Sequence, residues 1–174
     1  VVDGKPASVS ALKTAVEFAE RLRAELGVIS VRSGTHAMEE PAPVGVEIPA
    51  GARPTLPPGI RNLMEAADVL VASGVLAPFK SIKLRDVPHG HIFFGLKTNG
   101  GRMLFCERFG GLVNELNEEI AENQYDLVII AAPRRGALGR FAPMNVPRRL
   151  TLDLHCSFLV VRGGTPDARF VVCA

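Results

Sequence analysis

Asp126 to Arg162 reads DLVIIAAPRRGALGRFAPMNVPRRLTLDLHCSFLVVR, and its pattern decides the fold. Leu127-Val-Ile-Ile-Ala131 is an apolar run without alternation, as a central parallel strand covered on both faces requires. Ser157-Phe-Leu-Val-Val161 is a second run of the same kind. Between them lie a loop and a helix-length segment. Parallel neighbours need a crossover of this sort, and such units build α/β sheets.

Working outward, Lys13 to Gly27 reads as a helix. Leu12, Ala15, Val16, Ala19, Leu22 and Leu26 fall at helical spacing, with Ser8 or Ser10 as candidate caps and Gly27 at the end. Val28–Val31 follows as a short buried strand. Residues 33–59 lose periodicity and carry six prolines, which predicts a long loop. A second helix spans Ile60 to Ser73, and Ser81–Arg85 alternates as a strand. The runs at 91–96 and 102–107 flank the turn-prone Lys97-Thr-Asn-Gly-Gly101, a β-hairpin signal over about 91–108. Leu112, Val113, Leu116 and Ile120 mark a third helix ending near Asn123.

The bulk composition excludes several classes. With 174 residues, 47% of them hydrophobic, the chain can bury a core without a disulfide or metal staple. A net charge of +2 gives no basic stripe for nucleic acid. No apolar run approaches the roughly 20 residues of a membrane span. Cys106, Cys156 and Cys173 are odd in number and widely spaced, which suits reduced thiols in the cytoplasm. The opening on Val1 predicts a processed form or a piece of a longer protein.

Taken in order, these elements resemble the universal stress protein family. Val2-Asp-Gly-Lys-Pro-Ala-Ser8 is similar to the family's first strand end and turn. Tyr125–Ile130 resembles its fourth strand, and His155–Val161 the approach to and course of its fifth. Together with the first helix and strand, the match spans somewhat over half the chain. The resemblance implies an open, mostly parallel, twisted five-stranded sheet with helices on both faces, of the adenine nucleotide α-hydrolase-like kind, with an inserted β-hairpin. It also implies a ligand site at the carboxyl ends of the strands, after Val2, Val31 and Ile130.

ATP-binding members carry Gly, two residues, Gly, nine residues, then Gly and Ser or Thr. Here those positions are Ala131, Arg134, Met144 and Asn145, followed by Val146. The spacing is kept and the glycines are lost. Glycine matters in such loops because backbone N–H groups must approach phosphate without a Cβ in the way. Gly136 and Gly139 lie inside the spacer and read as loop flexibility. Arg134, Arg135, Arg140, Arg148 and Arg149 form a basic cluster, read as solvated surface or as side-chain holders of an acidic ligand. By the resemblance, Asp3 matches the acid near the adenine and Val31 the strand end that meets the base edge. Asp3 reads equally as a turn or cap residue, and Val31 as core.

Other chemistry is thin. His89 and His91 with Cys106 do not supply a zinc ligand set. His155 beside Cys156 has no evident base, and Cys156 reads as a small packing residue. Glu115, Glu118 and Glu119 read as a solvated helix face. No catalytic residue and no metal site is assigned, and the cofactor expectation is none or ATP.

Residues 1–164 are therefore expected to form one universal stress protein-like domain, with 165–174 as an extra terminal strand. Arg169-Phe-Val-Val-Cys-Ala174 is similar to the family's opening, a basic residue and then apolar residues. It begins a second tandem domain, or it completes the centre of the sheet in this molecule or a partner. The expected function is that of a non-enzymatic regulatory or binding module without ATP bound in the family manner. The alternatives are an ATP-dependent switch or slow ATPase, and an adenine-nucleotide enzyme. The last is disfavoured because residues 2–8 offer only Gly4 where a pyrophosphate loop would stand. The resemblance implies a homodimer through Phe158–Val161. The apolar hairpin, with Ile92, Phe93, Phe94, Leu104 and Phe105, predicts packing over the sheet edge or a protein contact.

Overall fold

The computed structural model describes residues 1–33, 42–132 and 156–162. Helix α1 (Pro6–Leu22) starts with Pro6 just inside an extended Lys5 and stops where Arg23 turns left-handed at φ 53°. Proline is pre-organised for a first turn, so the helix begins earlier than the apolar spacing predicts. It also ends short of Gly27, which opens strand β1 (Gly27–Arg32) instead. There the Tyr125 hydroxyl lies where a Cβ on Gly27 would stand.

Within the expected proline-rich loop, a short strand β2 (Glu47–Pro49) and a 3-10 helix (Ala50–Thr55) precede helix α2 (Pro58–Ala72). Strand β2 pairs antiparallel with β3 (Ser81–Lys83). Strand β4 (Arg85–Val87) leads into the hairpin of β5 (Gly90–Leu96) and β6 (Arg102–Phe109), then α3 (Leu112–Asn123), β7 (Leu127–Ala132) and β8 (Ser157–Arg162).

The protein is α/β, but the main sheet departs from expectation. It has four strands in the order β1-β6-β5-β4 and is mixed, not five strands mostly parallel. Only β1 and β6 are parallel within it; β5 and β4 run antiparallel. Strands β7 and β8 form a separate parallel pair. The reason is local. The hairpin is no appendage: its second arm is the parallel partner of β1, and its first arm extends the sheet. Among the described residues, Val1 and Val2 lie between β1 and β7. The Val1 ammonium donates to the Ile129 carbonyl at 2.9 Å and the Val2 N–H to the Ile29 carbonyl at 2.8 Å.

Two apolar clusters hold these layers. Val28, Leu63, Met64, Leu70, Phe93 and Phe105 belong to the first, on the α1 and α2 side. Val113, Leu116, Val128 and Ile130 form the second, under α3. The rings of Phe93 and Phe105 stack with centroids 4.7 Å apart and are fully buried. Phe94 and Leu96 point outward, 42% and 55% exposed. No described helix is long and apolar enough to cross a membrane.

Candidate functional site at the carboxyl edge

The parallel strands β1 and β6 end together, Val31 opposite Arg108 and Arg32 opposite Phe109. The bonds from Val1 and Val2 bring the Asp3 turn to the same edge, and Ala131 reaches it near the end of β7. Three of the residues singled out from sequence, Asp3, Val31 and Ala131, thus stand near the ends of three segments that the bonds of Val1 and Val2 link. Val31 and Ala131 are half-buried. Arg134, Met144, Asn145 and Val146 lie outside the described residues, as do the remaining arginines of the basic cluster and His155.

Asp3 is engaged in its own turn. Ser8 Oγ and the Lys5 N–H donate to its Oδ1, the latter at 3.2 Å, and Lys5 Nζ stands 2.9 Å from its Oδ2. Its N–H donates to Ser8 Oγ at 3.2 Å. Partial burial works to raise this carboxyl, and the Ser8 and Lys5 interactions outweigh it, so the group sits below its ordinary value. It remains half exposed and charged. The turn itself needs Gly4, at φ +72° with the Asn62 amide packed on it.

Beside it lies a buried polar chain that sequence reasoning missed. Glu107, fully buried near the end of β6, accepts from or pairs with His91 Nδ1 at 3.0 Å through Oε2. Its Oε1 stands 3.6 Å from Arg32 Nη1 and accepts no hydrogen bond among the described residues. His91 Nε2 continues to Asp86 Oδ1 at 3.5 Å, and its ring meets Phe109 edge-on. The first turn of α2 leaves room for this carboxylate because residue 59 is glycine; a Cβ there would land on Glu107 Oε1. Alternation along β6 is the one sequence signal that could have exposed the cluster, since Phe105 and Glu107 share a face.

The opposite face of β6 carries a second buried network. Arg108 Nε and Nη2 donate to Glu119 Oε2 at 2.9 and 2.6 Å, Nη2 also reaches Glu122, and Nη1 donates to the Pro88 carbonyl at 2.8 Å. Glu119 and Glu115 are buried, which corrects the reading of this helix face as solvated; Glu118 alone of the three is open. Cys106 Sγ lies 3.5 Å from Glu119 Oε2, and burial, with that charge, pushes the thiol up to about 12. A thiol so raised stays protonated near neutral pH.

His89, His91 and Cys106 are not brought together: His91 faces Glu107, Cys106 faces Glu119, and His89 turns to α3. There His89 Nδ1, Glu115 and Glu118 place one ligand atom each within 4.8 Å of one another. Burial, followed by the Glu118 charge, raises the Glu115 carboxyl. Such a trio has donors acceptable to a divalent cation, but two of its members are half exposed and need none.

The chain matches no protein-family model, and no curated protein matches it. Among solved structures it is similar to a universal stress protein in complex with cAMP, over 92% of this chain and 90% of that one, at a TM-score of 0.51 and 16% identity. The chain has the universal stress protein fold. The sequence resemblance implied this fold, though with a five-stranded, mostly parallel sheet that the described strands do not form.

Proposed function

We propose that this domain is a non-enzymatic regulatory module that binds a small adenine nucleotide at the carboxyl edge, and not ATP in the manner of the family's glycine loop. One observation supports the reading: the fold is shared with a universal stress protein in complex with cAMP, and sheets of this kind bind ligands at their carboxyl ends, where Asp3, Val31 and Ala131 would stand. Asp3 keeps an ionised, half-exposed carboxylate there to accept from an adenine amino group. Ala131, Arg134 and Met144 stand where the family has glycines, and their Cβ atoms hinder the close approach of backbone N–H groups to a triphosphate, whereas one phosphate held by side chains asks less of the loop. Self-association through Phe158–Val161 belongs to the same proposal.

Titration calorimetry with cAMP, AMP and ATP tests it. Binding of a mononucleotide, weakened at least tenfold by Asp3→Ala and less by Asp3→Asn, is the expected result. ATP bound more tightly than either would return the domain to the nucleotide-switch reading. No heat with any of the three would overturn nucleotide binding.

A further inference from the structure

Glu115, in the first turn of α3, is 5% exposed, and its Oε2 is shut off from water with no hydrogen-bond partner among the described residues. A buried carboxylate oxygen in that state costs stability until a donor or a cation meets it. The other oxygen, Oε1, stands 3.9 Å from His89 Nδ1, and Glu118 Oε2 stands 3.8 Å from the same nitrogen. His89 and Glu118 are satisfied by water on their outer sides. Glu115 is not.

The three side chains are brought together by fixed backbone. Glu115 and Glu118 are three residues apart on α3 and so share a helix face. His89 closes the two-residue turn between β4 and β5, where Val87 pairs with Gly90. Its φ of 57° is left-handed, a region that His enters more readily than most side chains. Two bonds tie that turn to the end of β6. The Phe109 N–H donates to the His89 carbonyl at 2.7 Å, and Arg108 Nη1 donates to the Pro88 carbonyl at 2.8 Å. Arg108 also donates to Glu119, so one buried guanidinium holds the turn to α3. Gly110 leaves the room, since a Cβ there would land on Glu115 Oε1.

The donor set decides the ligand. Two carboxylates and a neutral imidazole carry two negative charges, which a divalent cation matches. Calcium and magnesium take oxygen ligands, whereas an imidazole nitrogen favours zinc and other transition metals. Zinc accepts imidazole and carboxylate in one tetrahedral shell, with three protein ligands and a fourth position left to water. Donor atoms about 2.0–2.1 Å from one zinc ion lie roughly 3.4 Å from each other. A shift of about half an ångström by the two exposed side chains therefore closes this site. We propose that His89 Nδ1, Glu115 and Glu118 bind one Zn²⁺ at the carboxyl end of β6, pinning the β4–β5 turn to α3. The site does not depend on a bound nucleotide.

Titration of the 174-residue chain with Zn²⁺ against a chromophoric chelator tests this. One ion per chain is expected at the site, with affinity weakened by at least about a hundredfold in Glu115→Gln and in His89→Asn. Cys156→Ser with Cys173→Ser should leave the affinity unchanged. Stripped with EDTA, the Glu115 and His89 variants should keep the parent's far-UV circular dichroism, because Glu115 Oε2 loses no partner and Asn tolerates a left-handed turn. Zinc should raise the Tm of the parent and leave those two variants where they were. X-ray absorption of the loaded chain should show one imidazole with oxygen neighbours. Absence of binding would overturn the proposal, as would a sulfur neighbour to the zinc. Equal affinity in the parent and both variants would also overturn it and mean an adventitious ion only.

Discussion

Arg108 on β6 and Glu119 on α3 form a two-donor contact in which both side chains are almost wholly excluded from water. Breaking a buried pair by removing one member strands the other charge, whereas replacing both by apolar residues of similar volume need not destabilise. Glu119→Ala should therefore cost about 3–5 kcal/mol in denaturant unfolding, while Arg108→Met with Glu119→Leu should cost much less or stabilise. Equal losses in the two variants would show that the contact is not desolvated.

Gly59 and Glu107 compete for one volume. Gly59→Ala should cost about 1–3 kcal/mol through overpacking. In a Glu107→Ala background the methyl still meets the flexible Arg32 side chain but no longer the carboxylate, so the two effects should add to less than their sum. Strict additivity in urea midpoints would place the Glu107 carboxylate elsewhere.

Glu115 gives a pH signature. Its carboxyl is raised in the fold, so the contribution it makes is present below the ordinary carboxylate value and is lost as pH rises through the raised one. Glu115→Gln should flatten that decline and raise the Tm at pH 7 relative to the native side chain. It should change little at pH 4. A variant that tracks the parent at both pH values would remove Glu115 from the account.

The thiol of Cys106 should be inert. With Cys156 and Cys173 changed to Ser, the remaining thiol is expected to ignore disulfide reagents at pH 8 and to react at once in denaturant. Rapid labelling of the folded protein would contradict its burial against Glu119.

Much of this architecture could be read from periodicity, and its failures have physical causes. The limits of α3 were legible because Leu112, Val113, Leu116 and Ile120 repeat cleanly and nothing competes. The limits of α1 were not, because Pro6 starts it and a left-handed Arg23 stops it, and neither breaks the apolar spacing. The hairpin was legible from Lys97–Gly101, but its place in the sheet was not, since pairing of β6 with β1 is a long-range choice. Asp3, Val31 and Ala131 were singled out by resemblance alone. Glu107, Arg108 and Glu119 were hidden because a charged residue on an amphipathic element reads as surface until its partner is seen. Only the fold supplies the partner.

The two hydrogen bonds from Val1 and Val2 have a mechanical meaning. They are the stitches across a seam that runs through the middle of the molecule, with β1, β6, β5 and β4 on one bank and β7 and β8 on the other. Each bank is held by its own ladder, so amide exchange should be slowest along the β5–β6 pairing, where the register runs unbroken from Gly90 to Leu96.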